Sequence, residues 1–129
     1  MGEICVYYEI WQPPGQLTEV TMQIFTQEIE KKLADNAAQP EESRRPVLKL
    51  LGGGSCTWLI SERIDNDTLF GLCDLGTGFP ELGSVSQSEL LGLRFHPLGL
   101  PIERDLYFTP EKTLGEYATQ ARKSGFIDA

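Results

Sequence analysis

"VLKLLGGGSCTWLISERIDNDTLFGLCDL", residues 47–75, contains three apolar runs of strand length that are separated by two turn signals. The runs cover 47–51, 57–64 and 68–75, and the breaks between them are GGGS and DND. Because glycine and short polar residues favour turns, consecutive strands can pair through tight connections. The stretch therefore predicts an antiparallel meander. The runs are nearly continuously apolar rather than alternating, so we expect helices to cover at least one face of the sheet.

A helix is predicted before the meander, over residues 27–37. Thr26 is a suitable N-cap because its hydroxyl can accept a hydrogen bond from the first helical turn. Apolar side chains recur at helical spacing along this segment: Ile29, Leu33, Ala34 and Ala37. The spacing indicates one face that packs on the sheet.

Ser86 and Glu89 have the spacing of a capping box, in which each side chain accepts from the other residue's backbone N–H. The box predicts a short helix over 87–92. A short strand is expected just before it, over 82–85.

A second capping box, Thr113 with Glu116, predicts a helix over 114–124. Between the last two helices, "DLYF" at 105–108 is rich in residues that favour strands, so one more short strand is expected there.

Together these segments predict an α+β fold, with a small, mainly antiparallel sheet packed by two or three helices. A chain of 129 residues fits one domain. No apolar run approaches the roughly 20 residues that span a bilayer, and no signal peptide is recognised. "EICVYYEIW", residues 3–11, is expected to be a strand or an extended arm, since QPPG follows it.

The charge balance is acidic, with 11 Lys and Arg against 19 Asp and Glu and a net charge of −8. Such a surface repels a phosphate backbone, so direct binding of nucleic acid is not the default expectation. The nucleic-acid hypothesis would require three dibasic pairs to converge in the fold. These pairs are Lys31–Lys32, Arg44–Arg45 and Arg122–Lys123.

Four acidic residues in the middle of the chain are candidates for a surface that binds a basic partner. They are Asp65, Asp67, Asp74 and Glu81. Two alternatives remain open: the charge only keeps the protein soluble, and "DND" is only a polar turn. The same segment begins like a calcium-binding loop but lacks the glycine and glutamate that such a loop requires.

Cysteine and histidine content argues against a metal or a cofactor. Cys5, Cys56 and Cys73 are widely spaced and odd in number, which is typical of reduced thiols in a cytoplasmic protein. His96 is the only histidine, so sites built on two imidazoles are excluded. The GGGS turn lacks the G-K-[ST] ending of a phosphate-binding loop. We predict no metal and no cofactor.

Glu103, Arg104 and Asp105 form the tightest cluster of charge near the end of the chain. One interpretation is a local cluster of ion pairs that fixes a loop. The other is a pair of catalytic carboxylates whose acidity is tuned by the guanidinium, which would make the protein a small enzyme.

Three stretches resemble one family of small bacterial proteins: "IFTQEIEKKLADN", "LFGLCDLGTGFPELGSVSQSELLGL" and "LGLPIERDLYFTPEKTLGEYA". The family is a domain of unknown function that is frequent on plasmids, phages and integrative elements. The resemblance covers about residues 22–118 and brings no catalytic residues with it. It implies a single α+β domain over 22–129, with 1–21 as an N-terminal extension or an over-called start.

The resemblance and the charge together favour a non-enzymatic accessory protein of a mobile element that works by protein contact. Its partner would be a host protein or one encoded by the element. One form of this hypothesis is inhibition of a host defence complex, with acidic surface presented to a groove that normally holds nucleic acid. The alternatives are the small enzyme and the nucleic-acid binder.

Overall fold

The structure is a computed structural model that describes residues 24–129. The extension predicted for 1–21 and the strand or arm predicted for 3–11 lie outside the described residues. The described part contains five strands and three α-helices with one 3-10 turn, in this order: α1 (Gln27–Ala37), the 3-10 turn (Glu41–Ser43), β1 (Leu48–Gly52), β2 (Cys56–Arg63), β3 (Thr68–Asp74), β4 (Glu81–Ser86), α2 (Gln87–Gly92), β5 (Glu103–Arg104) and α3 (Leu114–Ser124).

The strands form one antiparallel sheet in the order β4-β3-β2-β1-β5, which confirms the predicted α+β fold and its meander. The β1–β2 turn uses Gly53 and Gly54 at φ of 62° and 78°. L-residues with side chains rarely adopt such angles, so glycine is required for this turn. The β2–β3 turn is held by Asp65, whose Oδ1 accepts from the Asp67 and Thr68 N–H groups at 3.0 and 2.8 Å.

Both faces of the sheet are covered by helices. Trp58 and Leu59 are consecutive residues of β2, so their side chains point to opposite faces. Trp58 belongs to a core that includes Ile29 and Leu33 of α1 and the buried leucines of α2. Leu59 belongs to a second core, formed with the buried face of α3. This three-layer arrangement explains why the strand sequences are apolar at almost every position.

The three predicted helices are confirmed, and the caps at Thr26 and Thr113 form as predicted. Thr26 Oγ1 accepts from the Ile29 N–H at 3.2 Å, and the Thr113–Glu116 box is complete. Ala34, however, is exposed and does not share the buried face of α1. Because Ile29 and Leu33 already fill the contact with the sheet, only a narrow stripe of α1 is buried.

The strand predicted over 105–108 is wrong, because the short fifth strand is Glu103–Arg104 and the chain turns at Asp105. Asp105 Oδ1 accepts from the Tyr107 N–H at 2.9 Å, and its carbonyl accepts from the Phe108 N–H at 3.4 Å. The Asp105 N–H still donates to the Lys49 carbonyl at 3.0 Å, but these local bonds turn the chain after it away from the sheet.

The cysteine prediction is correct at one described position and wrong at the other. Cys73 is a buried free thiol. Cys56 is disulfide-bonded, so the prediction of a reduced thiol fails there. Cys5 lies outside the described residues. Within 24–129, no helix has the length and hydropathy needed to cross a membrane.

Candidate functional site

The four acidic residues singled out in the sequence lie at two ends of the sheet. Asp65 and Asp67 are in the β2–β3 turn, whereas Asp74 ends β3 and Glu81 begins β4. Because β3 is seven residues long, about 20 Å of strand separates the two pairs. The structure therefore does not bring the four carboxylates together as one patch.

Asp67 connects the β2–β3 turn to the start of α2. Its Oδ1 accepts from the Ser88 N–H at 2.9 Å, and its Oδ2 accepts from the Ser86 and Ser88 hydroxyls at 2.6 and 3.0 Å. The Ser86 hydroxyl bond, followed by the Ser88 backbone bond, holds the pKa of Asp67 below its ordinary value. The predicted box at this helix is therefore half formed: Ser86 Oγ accepts from the Glu89 N–H, while Asp67 binds the first turn instead of the Glu89 carboxylate.

Asp74 is not available at the surface, since it is 3% exposed. Its Oδ1 accepts from the Gly76 N–H at 2.9 Å, and its Oδ2 accepts from the Ile127 N–H at 3.0 Å. It thus joins the β3–β4 loop to the segment after α3. The assignment of Asp74 to a partner-binding surface is wrong for this reason. Glu81, by contrast, is exposed.

Glu103, Arg104 and Asp105 do not form the predicted cluster of ion pairs. Asp105 Oδ2 lies 3.6 Å from Lys49 Nζ, and Lys49 also donates to the Ala129 oxygen at 2.6 Å. In the described part of the chain, neither Glu103 nor Arg104 makes an ion pair. The backbone explains the difference, because β5 pairs with β1 and places Asp105 beside the lysine of β1.

The same triplet is divided between two cavities. Glu103 lines a cavity of about 370 Å³ between the β1–β2 turn and residues 95–101. Asp105 lines a different one, of about 500 Å³, beside the end of α3. The two carboxylates are therefore not gathered in one cavity.

The cavity that Glu103 lines is bounded by a β-hairpin, residues 95–100, which we call the apolar hairpin. Phe95 and Leu100 close it through backbone hydrogen bonds of 2.8 and 3.2 Å. The Phe95 ring anchors it against Gly52, where a Cβ atom would lie only 2.3 Å from the ring. Leu98 and Leu100 nevertheless point outward, 77% and 51% exposed. The hairpin is attached to the sheet through Phe95 but carries apolar side chains into solvent.

The cavity itself, which we call the hairpin cavity, is lined mainly by apolar side chains and glycines. The described lining residues are Leu51, Gly52, Gly53, Gly54, Phe95, His96, Pro97, Leu98, Leu100, Pro101 and Glu103. Glu103 supplies the acidic group of this lining. A mostly apolar concavity with a few polar groups is the usual chemistry of a binding site.

Sequence analysis missed the apolar hairpin, although a signal was present. The segment "HPLGLP", residues 96–101, has the glycine and prolines of a turn but carries leucines where turns usually carry polar residues. Leucines in a turn are either buried or exposed for a reason, and the sequence does not distinguish these cases.

The cavity beside Asp105 is polar, and several of its groups bind one another. Lys112 Nζ donates to Gln120 Oε1 at 2.6 Å and lies 5.7 Å from the centroid of the Tyr117 ring. The Tyr117 hydroxyl accepts from the Glu111 N–H at 3.1 Å. These contacts fix the segment before α3 against the helix, which is a structural role.

The three dibasic pairs are not gathered on one surface. Lys31–Lys32 lies on α1 and Arg122–Lys123 on α3, and these helices cover opposite faces of the sheet. Arg44 is mostly buried, and its Nη1 donates to Glu62 at 2.7 Å. A continuous basic track for nucleic acid does not result from this arrangement.

Groups that could hold a metal or act as a nucleophile are not assembled in the described residues. No three His, Cys, Asp or Glu side chains within 24–129 are placed to hold a metal ion. Burial raises the pKa of the Cys73 thiol to about 12, with a smaller contribution from Glu81. Since the thiolate is the reactive form, Cys73 is a core residue and not a nucleophile.

Comparison with known proteins gives one match. The sequence model of a family described as "Protein of unknown function (DUF2958)" matches residues 23–128. No curated protein and no solved structure matches the chain.

Proposed function

Since the chain belongs to the DUF2958 family of unknown function over residues 23–128, no activity is inherited, and we propose that the protein is a non-enzymatic protein-binding module. Its contact surface is the apolar hairpin together with the hairpin cavity. In this proposal the protein is a cytoplasmic accessory factor of a mobile genetic element. Its partner is a host protein, with a host defence complex as the first candidate, or a protein of the element.

The observation that carries the proposal is the exposure of Leu98 and Leu100 on a hairpin that is held in place by Phe95. Exposed leucines lower solubility, and the location of these two beside a cavity supports a role in association. Because backbone hydrogen bonds and the Phe95 ring already hold the hairpin, a partner would have less backbone to fix, which lowers the entropy lost on binding.

The enzyme hypothesis has less support, because its two carboxylates line different cavities and Asp105 is already paired with Lys49. The nucleic-acid hypothesis has less support as well, because α1 and α3 place their basic residues on opposite faces. The protein-binding hypothesis relies on the apolar hairpin and the hairpin cavity, which lie on one surface.

A photo-crosslinking experiment tests the proposal. The residue Leu98 is replaced by benzoylphenylalanine in the full chain, the protein is expressed in host cells, and adducts are identified by mass spectrometry after irradiation. We expect one dominant protein partner. The matched control carries the same label at Phe79, which is also 77% exposed but lies in the β3–β4 loop.

A second variant set checks that the adduct reports binding. In an affinity pull-down without the photo-crosslinker, which we call the capture assay, L98D should abolish binding of the partner. F79D should retain it. Equal adducts at both labelled positions, or adducts only to a second copy or to the chain's own residues 1–23, would count against the proposal.

A further inference from the structure

We infer that the hairpin cavity receives a basic side chain, arginine or lysine, from the partner protein, and that Glu103 is its counter-ion. The inference rests on the proposed function and names the chemistry of the partner at that site. It depends on three features: the residues that form the cavity wall, the bonding partners of the Glu103 carboxylate, and the volume of the hairpin cavity.

The wall combines apolar surface with a single acidic group. Leu98, Leu100 and Pro101 supply the apolar part, and Glu103 is the one acidic residue among the described residues that line it. Arginine and lysine pack their aliphatic stems along apolar surface while the charged end seeks an anion or water. A neutral apolar side chain would leave Glu103 without a counter-charge.

The Glu103 carboxylate is free to take a partner. It makes no hydrogen bond or ion pair with the described part of the chain, whereas the neighbouring Asp105 is held by Lys49 and the Tyr107 N–H. Glu103 is exposed at the rim of the apolar wall, so a cation can reach its carboxylate while the stem of that side chain packs on the wall.

The volume limits what can enter. At about 370 Å³, the hairpin cavity can take one or two side chains. It is too small for a helix, whose diameter with side chains is about 10 Å. The net charge of −8 also favours approach of a basic partner surface over long range.

Small probes test the chemistry directly. The full chain, labelled with nitrogen-15, is titrated with the Nα-acetyl methylamides of arginine, lysine, norleucine and glutamate. Backbone amides of Gly53, Gly54, Leu98 and Leu100 should shift in a saturable way with the two basic probes. We expect norleucine to bind about three-fold more weakly than the basic probes, because it lacks one exposed ion pair. Glutamate should show no saturation.

Variants separate the role of Glu103 from general surface charge. E103Q should weaken the basic probes to near the level of norleucine and reduce the salt dependence of their binding. The matched control is E81Q, because Glu81 is also exposed but lies at the opposite edge of the sheet. Norleucine binding as tightly as arginine and lysine, or equal effects of E103Q and E81Q, would overturn the inference.

The capture assay distinguishes failure of this inference from failure of the proposed function. If L98D abolishes partner capture and E103Q leaves it unchanged, protein binding stands and the basic side chain is wrong. If benzoylphenylalanine at position 98 of the otherwise unchanged chain cross-links no partner, both are wrong.

Discussion

Asp67, in the turn between β2 and β3, accepts a 2.6 Å hydrogen bond from the hydroxyl of Ser86, the N-cap residue of α2. The same carboxylate binds the Ser88 backbone and hydroxyl. One acidic side chain therefore fixes a turn, the end of β4 and the start of a helix. Its acidity, which suggested a partner surface, is used inside the fold.

Replacing Asp67 should destabilise the protein although the residue is exposed. D67A removes the acceptor for two hydroxyls and one backbone N–H at a helix start, so we expect a loss of about 1–2 kcal/mol in the free energy of unfolding. Urea denaturation measures it. N66A is the matched control in the same turn, because the described residues make no hydrogen bond to its side chain; equal losses would contradict the role of Asp67.

Stability should fall on acidification through three carboxylates that accept hydrogen bonds in a turn or at a helix start. Hydrogen bonds from backbone N–H groups lower the pKa of Asp65 and Glu116, and the Ser86 hydroxyl lowers that of Asp67. A carboxyl whose folded pKa is below its unfolded value stabilises the fold above the unfolded value, here 3.8 for Asp and 4.5 for Glu.

This contribution is lost as the pH falls through the folded pKa values. We therefore expect the thermal midpoint to drop between pH 5 and pH 3, and D67N to show a smaller drop than the wild-type protein. Midpoints measured across this range test the sign, and a larger drop for D67N would refute it.

Arg44 should contribute more to stability than an exposed lysine. Its guanidinium binds Glu62 at 2.7 Å and the Gln39 and Ala37 carbonyls at 3.0 Å, which closes the end of α1 onto β2. R44A should lower the free energy of unfolding by about 2 kcal/mol, the scale of hydrogen bonds to charged groups. K32A breaks the exposed pair with Glu28 and should cost less than about 0.5 kcal/mol.

Urea denaturation of these two variants tests whether a partly buried ion pair contributes more to the free energy of unfolding than an exposed one. Similar losses for R44A and K32A would show that the contacts of Arg44 contribute no more than a surface pair.

Gly71 should not tolerate a side chain. A Cβ atom at this position of β3 would lie 2.1 Å from the Leu59 carbonyl oxygen, so the backbone of β2 would have to move. We expect G71A to cost about 3 kcal/mol. Gly83 pairs with Gly71 on β4 but has open space around it, so G83A should stay within about 0.5 kcal/mol of wild type. A tolerated G71A, measured by thermal unfolding, would contradict the close approach.

Local sequence signals predicted most of the elements. The Thr113–Glu116 box begins α3 as expected, because both partners are three residues apart and need no other element. The Ser86–Glu89 box is only half formed, because Asp67 reaches the same helix start from another turn. "DLYF" has strand propensity, yet the Asp105 carboxylate bonds to the backbone nearby and turns the chain.

The candidate site was less predictable than the fold. Sequence proximity suggested that Glu103 and Asp105 act together, but the end of β5 directs them into separate cavities. The exposure of Leu98 and Leu100 could not be predicted, because it depends on how the whole surface packs and not on the turn that carries these residues.

The sequence by itself determined the strands, the helix starts and the acidic charge, since periodicity, caps and composition act over a few residues. Tertiary structure alone decided which charges remain available to a partner. Asp74 accepts a hydrogen bond from the N–H of Ile127, 53 residues away, and Asp105 forms an ion pair with Lys49. Glu103 instead lines an apolar cavity. The physical reason is that a carboxylate bonds to whichever group lies close in space. Those distances are fixed only when the sheet and the helices pack together.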